Sequence, residues 1–390
     1  MSLSKSEYLK TSEGQIVRRL WRLHNLSLYS FDFEPKSKKG MHNPEKVVFQ
    51  KELLKQIKEK GKRAYRGRIV IKLSFHATNR NSPQVHTVTK NFLDLFSSPL
   101  PETKIKRKSL VYQDDEQIAY LAVRYFIGDN KPYVNIEVKP FRDFLLDLEV
   151  INSFLLDEDT DRHSENDDNK WDNYNDLLRN KDWYIKSIGP KGYEGMLESY
   201  KTSLQGNLLK QSRLSLRDII VLYRGLGPSY DFSIPKNHEF GKYITELNST
   251  VEKWILTFPL RIQLPQVPTK PGDTNDFKIK VRESIKSYKN QFRILSKIIM
   301  PFYMEVLYKP PCVSQEFSKD LDNIMELITP IVYEELTPPL SLQGYEVFEL
   351  PRQRQDVSDG FVTINFTSGY HILETVWDRV NDAIEKLSRE

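Results

Sequence analysis

The chain has 390 residues, 39% of them hydrophobic and 12% aromatic, which suffices for two ordinary domains with buried cores and excludes a disordered tail. Its formal net charge is +5 and its pI about 8.8, a mild excess that permits a phosphate-binding face without demanding one. No apolar run approaches the ~18 residues of a membrane span, residues 1–10 lack the apolar core of a signal peptide, and the lone Cys312 leaves neither an internal disulfide nor a zinc cluster, which fits a reducing cytoplasm.

In chain order, residues 1–25 predict a leading helix through Ile16, Leu20 and Leu23. Residues 26–33 (LSLYSFDF) alternate as a strand. Phe49, Leu53, Leu54 and Ile57 set a helical period over 47–62, and RIVIKLSF at 68–75 is a strand. A polar loop leads into a helix over 85–96, marked by Val88, Phe92, Leu93 and Leu95. Two strands follow, 117–127 and 133–138, joined by the turn GDNK and read as a hairpin. Residues 141–252 open with an acidic run (DEDTDRHSENDD, 157–168) and read as a helical insert or linker with no evident chemistry.

The order then repeats at an offset of roughly 230–240 residues. Residues 253–264 predict a strand, 277–299 a lysine-rich helix, 302–308 a strand, 321–334 a helix, and 345–350 and 361–366 strands. A C-terminal helix closes the chain within 369–390. The expected fold is α+β: two modules, 26–140 and 253–368, each a small mixed sheet with helices packed on one face, separated by the insert.

Two acidic segments carry chemistry. In the second module DLDN places Asp320 and Asp322 at a loop-to-helix junction. Two carboxylates one residue apart suit a hard divalent cation, which would polarise a phosphodiester and activate water; aspartate is equally a favoured helix cap. In the first module Asp114 and Asp115 precede a strand, as metal ligands at a sheet edge or as an ordinary acidic turn. Lys90 and Asp94 lie four apart on one helix face. They form either a phosphate-stabilising lysine with its neighbour or a plain helix ion pair. His86 and His76 flank one loop, as structural histidines or as a shared polar site, with no third transition-metal ligand apparent.

These segments resemble the RusA-type Holliday-junction resolvases, whose pattern is a DxDN-like helix entry with a downstream lysine, then a DDxQ motif opening a hairpin. PQVHTVTKNFLD (83–94) and DDEQ (114–117) occupy those places in the first module. KDLDNIMELITPIV and GYEVFELPRQRQDVSDGFVTINF occupy them in the second. The likeness spans about two thirds of the chain. It implies a metal site at Asp114, Asp115, Asp320 and Asp322, catalytic roles for Asp115, Asp114, Lys90, Asp94 and His86, and Mg²⁺ as cofactor, with Mn²⁺ substituting. The copies depart from the pattern: Gln84 and His86 replace the first module's DxD acids, Glu326 stands at the second module's lysine position, and PPLSLQG replaces its DDxQ.

Three readings follow: two degenerate copies that bind branched or duplex DNA without cutting it; a nuclease in which His86 joins Asp114 and Asp115; and a composite site in which Asp320 and Asp322 meet Asp115. The family acts as a homodimer, so the chain resembles a covalent pseudo-dimer, alone or in a higher assembly with protein partners. From a different class comes a scaffold or interaction subunit that kept the duplicated fold. Phosphate contacts fall to Lys58, Lys60, Lys62, Arg63, Arg66, Arg68, Lys104, Lys106, Arg107 and Lys108, with lysines of the 278–289 helix, unless these runs are solvated surface.

Overall fold

A computed structural model of the protein describes residues 3–24, 26–79, 83–153, 166–224, 253, 256–257, 260–268, 271–311, 320–337, 342–350, 360–368 and 375–389. Cys312, most of the acidic run, the 225–250 stretch, residues 338–341 and residues 351–359 lie outside them. The fold is α+β. Helices α1 (Lys5–Tyr8) and α2 (Ser12–His24) lead into β1 (Ser27–Phe31), α3 (Asn43–Glu59), β2 (Ile69–Ala77), α4 (Val85–Ser97), β3 (Ile118–Ile127) and β4 (Tyr133–Pro140). Helices α5 (Phe141–Ser153), α6 (Asn166–Arg179), α7 (Lys181–Gln211) and α8 (Leu216–Arg224) follow. The second half runs β5 (Ile262–Leu264), α9 (Thr274–Gln291), β6 (Phe302–Lys309), α10 (Leu321–Leu336), β7 (Leu342–Glu349), β8 (Phe361–Thr367) and α11 (Val376–Leu387).

The strands form one eight-stranded sheet in the order β1-β4-β2-β3-β7-β6-β8-β5. Read from each edge inward, the halves are identical: an antiparallel outer pair, then a central strand antiparallel to one neighbour and parallel to the other. They join antiparallel at β3–β7, from Tyr120 opposite Phe348 to Arg124 opposite Gly344. This arrangement has a pseudo-twofold axis through the seam near Ala122 and Glu346. The Tyr120 and Phe348 rings stack across the seam at 4.6 Å.

The expected hairpins are not paired hairpins. Strand β2 lies between β3 and β4, as β6 lies between β7 and β8. The inner edge of β3 is taken by β7, so β4 reaches the far edge of β2. The connecting turn crosses the end of β2, where the Gly128 and Asp129 amides both donate to the Ala77 carbonyl (2.7 and 3.0 Å). Gly128 holds φ +91° there, a conformation glycine adopts without steric cost. The strand expected over 253–264 shrinks to Ile262–Leu264, with Lys253, Leu256 and Thr257 helical, and the helix expected to reach 299 ends at Gln291.

Helices cover both faces rather than one. On one face, β2 side chains Ile71, Leu73 and Phe75 share a core with Phe49, Phe92 and Phe96 of α3 and α4, and with Phe277, Ile285, Ile324 and Ile328 of α9 and α10. On the other, α2, α5, α8 and α11 bury Ile16, Phe144, Ile219 and Trp377. Lys72, on that second face, is neutralised by Glu137 (2.8 Å) and Asp378 (2.7 Å). Part of the insert is integral to the fold: Leu204 and Leu209 of α7 enter the first core, and buried Gln205 donates to the Ile294 and Lys297 carbonyls. Among the described residues no helix is long and apolar enough to cross a membrane.

Candidate functional site

Helices α4 and α10 follow the central strand of each half and begin alike. Gln84 and Asp320 are their N-cap residues, both extended, and neither side chain makes a capping hydrogen bond. Asp320 is therefore not spent as a side-chain cap; its Oδ2 accepts from Asn323 Nδ2 (3.1 Å). The two helices pack together across the pseudo-axis, which carries Lys90 of the first half onto the second. Its ammonium donates to Asp322 Oδ2 (2.8 Å) and Asn323 Oδ1 (2.7 Å), with Glu326 at 3.5 Å. Lys90 is thus not primarily the partner of Asp94, which pairs instead with Lys38 (2.9 Å).

The Asp114–Asp115 segment reaches the same corner on a short 3-10 turn. Asp114 accepts from the Glu116 amide (3.1 Å) and its own amide donates to Gln117 (3.0 Å). It is exposed and acts as the cap of the turn. Gln117 also ties the turn to the Tyr65 and Gly67 carbonyls (3.2 and 2.8 Å), a use of the DDxQ glutamine that sequence alone did not reveal. Asp115 points inward, beside Tyr112, whose hydroxyl donates to the Leu93 carbonyl (2.8 Å).

The carboxylates feel one another. Burial, then the charge of Asp322, pushes the Asp115 carboxyl up to about 6. Burial, then the charges of Asp322, Asp115, Glu116 and Asp114, pushes Asp320 up to about 7. Burial pulls the Lys90 ammonium down, but the bond to Asp322 and the charges of Asp322, Glu326 and Asp94 outweigh it, so its pKa rises. One oxygen of Asp115 and one of Asp322, both Oδ1, are buried without a hydrogen-bond partner among the described residues. Asp322 is only 4% exposed. An unpaired buried carboxylate oxygen is costly unless a cation or donor joins it.

Other expected members stay apart. His86 is buried on the first turn of α4, its Nδ1 without a hydrogen-bond partner among the described residues, and burial lowers its pKa to about 4. Asp115 couples to Asp322, not to His86. His76 shares nothing with His86: it pairs with Asp129 and stacks between Tyr133 (3.6 Å) and Phe126 (4.5 Å).

The basic residues divide by role. The 60–68 and 104–112 segments lie side by side, joined by the Tyr65–Tyr112 bridge and the Tyr65 amide to the Val111 carbonyl (2.8 Å). Lys60 lies over the Tyr29 ring (5.5 Å), and the charge of Arg107 also acts on Tyr29. Lys58, Arg63, Arg66, Lys104, Lys106 and Lys108 are exposed around this surface. Arg68 is structural, bound to Glu349 across the seam (2.8 Å) and lying over Phe141. On α9, Lys289 ties to Glu335 of α10 (3.2 Å), while Lys280 stays exposed in a surface pair with Asp276 (2.8 Å).

No family model, curated protein or solved structure matches the chain. Among the described residues no three His, Cys, Asp or Glu side chains already converge as a metal cage. The two orphaned carboxylate oxygens belong to acids that, with Asp320, form one electrostatically coupled corner.

Proposed function

We propose that this chain binds branched or duplex DNA as a covalent pseudo-dimer and hydrolyses a phosphodiester at the corner where Asp115 of the first half meets Asp320 and Asp322 of the second. The observation that carries this reading is the pair of buried, partnerless carboxylate oxygens, one from each half, in a site bridged by Lys90. The segment order that resembles RusA-type resolvases points the same way.

In this scheme a bound Mg²⁺, or Mn²⁺ in its place, would supply Lewis acidity and an activated water. Asp115 and Asp322 would hold it, with Asp320 as the third carboxylate once ionised. Lys90 orients Asp322 through its 2.8 Å bond, and its ammonium would offset negative charge that develops on phosphorus-bound oxygen. The adjacent 58–66 and 104–108 bases hold the flanking phosphates. Water adds its oxygen to phosphorus and one P–O ester bond breaks. One proton passes to the departing alkoxide, and the other stays with the new phosphate monoester or leaves to solvent.

The test is a synthetic four-way junction and a matched linear duplex, each incubated with Mg²⁺ or Mn²⁺. Cleavage that is lost in Asp115→Asn and Asp322→Asn supports the proposal. A salt-sensitive gel shift without cleavage reduces the protein to a DNA binder. Neither shift nor cleavage leaves the duplicated fold as a scaffold.

A further inference from the structure

The two halves are equivalent in topology but not in chemistry. Counted from the N-caps Gln84 and Asp320, His86 takes the place of Asp322, Thr87 that of Asn323, and Glu326 that of Lys90. The connection from α4 to β3 spans residues 98–117 and carries KIKRK and both acids, Asp114 and Asp115. Its counterpart from α10 to β7 spans only residues 337–341, TPPLS, with no charged side chain. The second corner therefore offers a buried imidazole nitrogen, without a partner among the described residues, where the first has a carboxylate, and Glu326 there is already paired with Lys90. A hard cation prefers anionic oxygen and finds one engaged carboxylate at that corner, against three at the other.

Resting on the function proposed above, we infer that each chain loads a single divalent cation, at the Asp115–Asp320–Asp322 corner, and opens one DNA strand per encounter. A symmetric homodimer presents two equivalent sites to the two strands of a branch. Here the pseudo-axis is kept for shape, and the hydrolytic water, the P–O bond that breaks and the phosphate-binding bases all belong to one side. The His86 corner is inert; the helices that form it, α4 and α10, supply Lys90, Asp320 and Asp322 to the other corner.

The experiment uses the full chain and two readouts. Mn²⁺ binding, followed by the loss of the free-ion electron paramagnetic resonance signal, is expected to saturate at one ion per chain. That ion should disappear in Asp322→Asn and persist in His86→Ala. In parallel, a supercoiled plasmid with an extruded cruciform is expected to yield nicked circles. A first nick releases the supercoiling, the cruciform is reabsorbed and the substrate is gone, so linear plasmid does not accumulate. Two ions per chain, or linear plasmid formed without a nicked precursor, overturns the single-corner inference while leaving the nuclease reading intact. One ion that survives Asp322→Asn but is lost in His86→Ala assigns the wrong corner and also overturns it. No ion and no strand opening removes both proposals together.

Discussion

Replacing Asp322 with asparagine separates a functional acid cluster from a structural ion pair. The substitution deletes the charge that, after burial, does most to raise Asp115 to about 6 and Asp320 to about 7. Each pKa unit is worth ~1.4 kcal/mol for a fully buried group. Both acids keep solvent contact, so screening reduces their joint cost at neutral pH to roughly 1–3 kcal/mol, only part of which Asp322 causes. Against that relief stands the charge-assisted bond from Lys90, worth roughly 1–2 kcal/mol. Lys90 retains Asn323 at 2.7 Å and Glu326 at 3.5 Å. The two effects nearly cancel, and unfolding free energy should move by no more than about 1 kcal/mol, a melting shift of at most about 3 °C. The pH profile should change more. Carboxyls whose folded pKa is raised contribute stability that is present below pH ~4 and lost as pH climbs through 6 to 7. Asp322→Asn should flatten that decline. Urea unfolding at pH 5 and pH 7.5 measures both quantities. A loss above about 3 kcal/mol, as expected when a buried pair is broken, would show Asp322 to be chiefly half of a structural ion pair and refute that near-cancellation.

Three further outcomes are expected. Apparent Mn²⁺ affinity should rise roughly 20-fold from pH 6 to pH 8 if Asp115 and Asp320 both ligate, because protons compete at about 6 and about 7; a flat titration curve would remove both as ligands. Gly344→Ala should disrupt the β3–β7 seam, since an added Cβ would collide with the Val123 carbonyl oxygen and the Tyr303 ring; the loss should exceed about 2 kcal/mol, and an unchanged melting temperature contradicts the seam. Replacing Lys104, Lys106 and Lys108 by alanine should weaken DNA binding about equally for all sequences and lower the salt slope by about one for each phosphate that is no longer neutralised; an unaltered salt dependence places the DNA elsewhere.

The period of the apolar residues determined most elements by itself, though not 253–264, where among the described residues only Ile262–Leu264 is strand, nor the end of the helix at Gln291. Val88, Phe92 and Phe96 on α4, and Ile324, Ile328 and Ile331 on α10, are buried as helical spacing requires. The repeated order of elements was equally legible, because each half builds its core from the same alternation. Local sequence could not say which strand edges meet. GDNK reads as a hairpin turn, yet β4 crosses β2, because whether β3 has a free edge depends on β7 more than 200 residues away. The site divides the same way. Asp115, Lys90, Asp320 and Asp322 were recognisable as chemically apt residues. Asp114 turned out to cap a turn and Asp94 to pair with Lys38, since spacing gives adjacency along an element but not direction across a fold. Only the tertiary structure decided that Lys90 would sit on Asp322 rather than near Asp94. That pairing arises where two helices pack across a pseudo-axis, a geometry fixed by burial of their apolar faces and invisible in either helix alone.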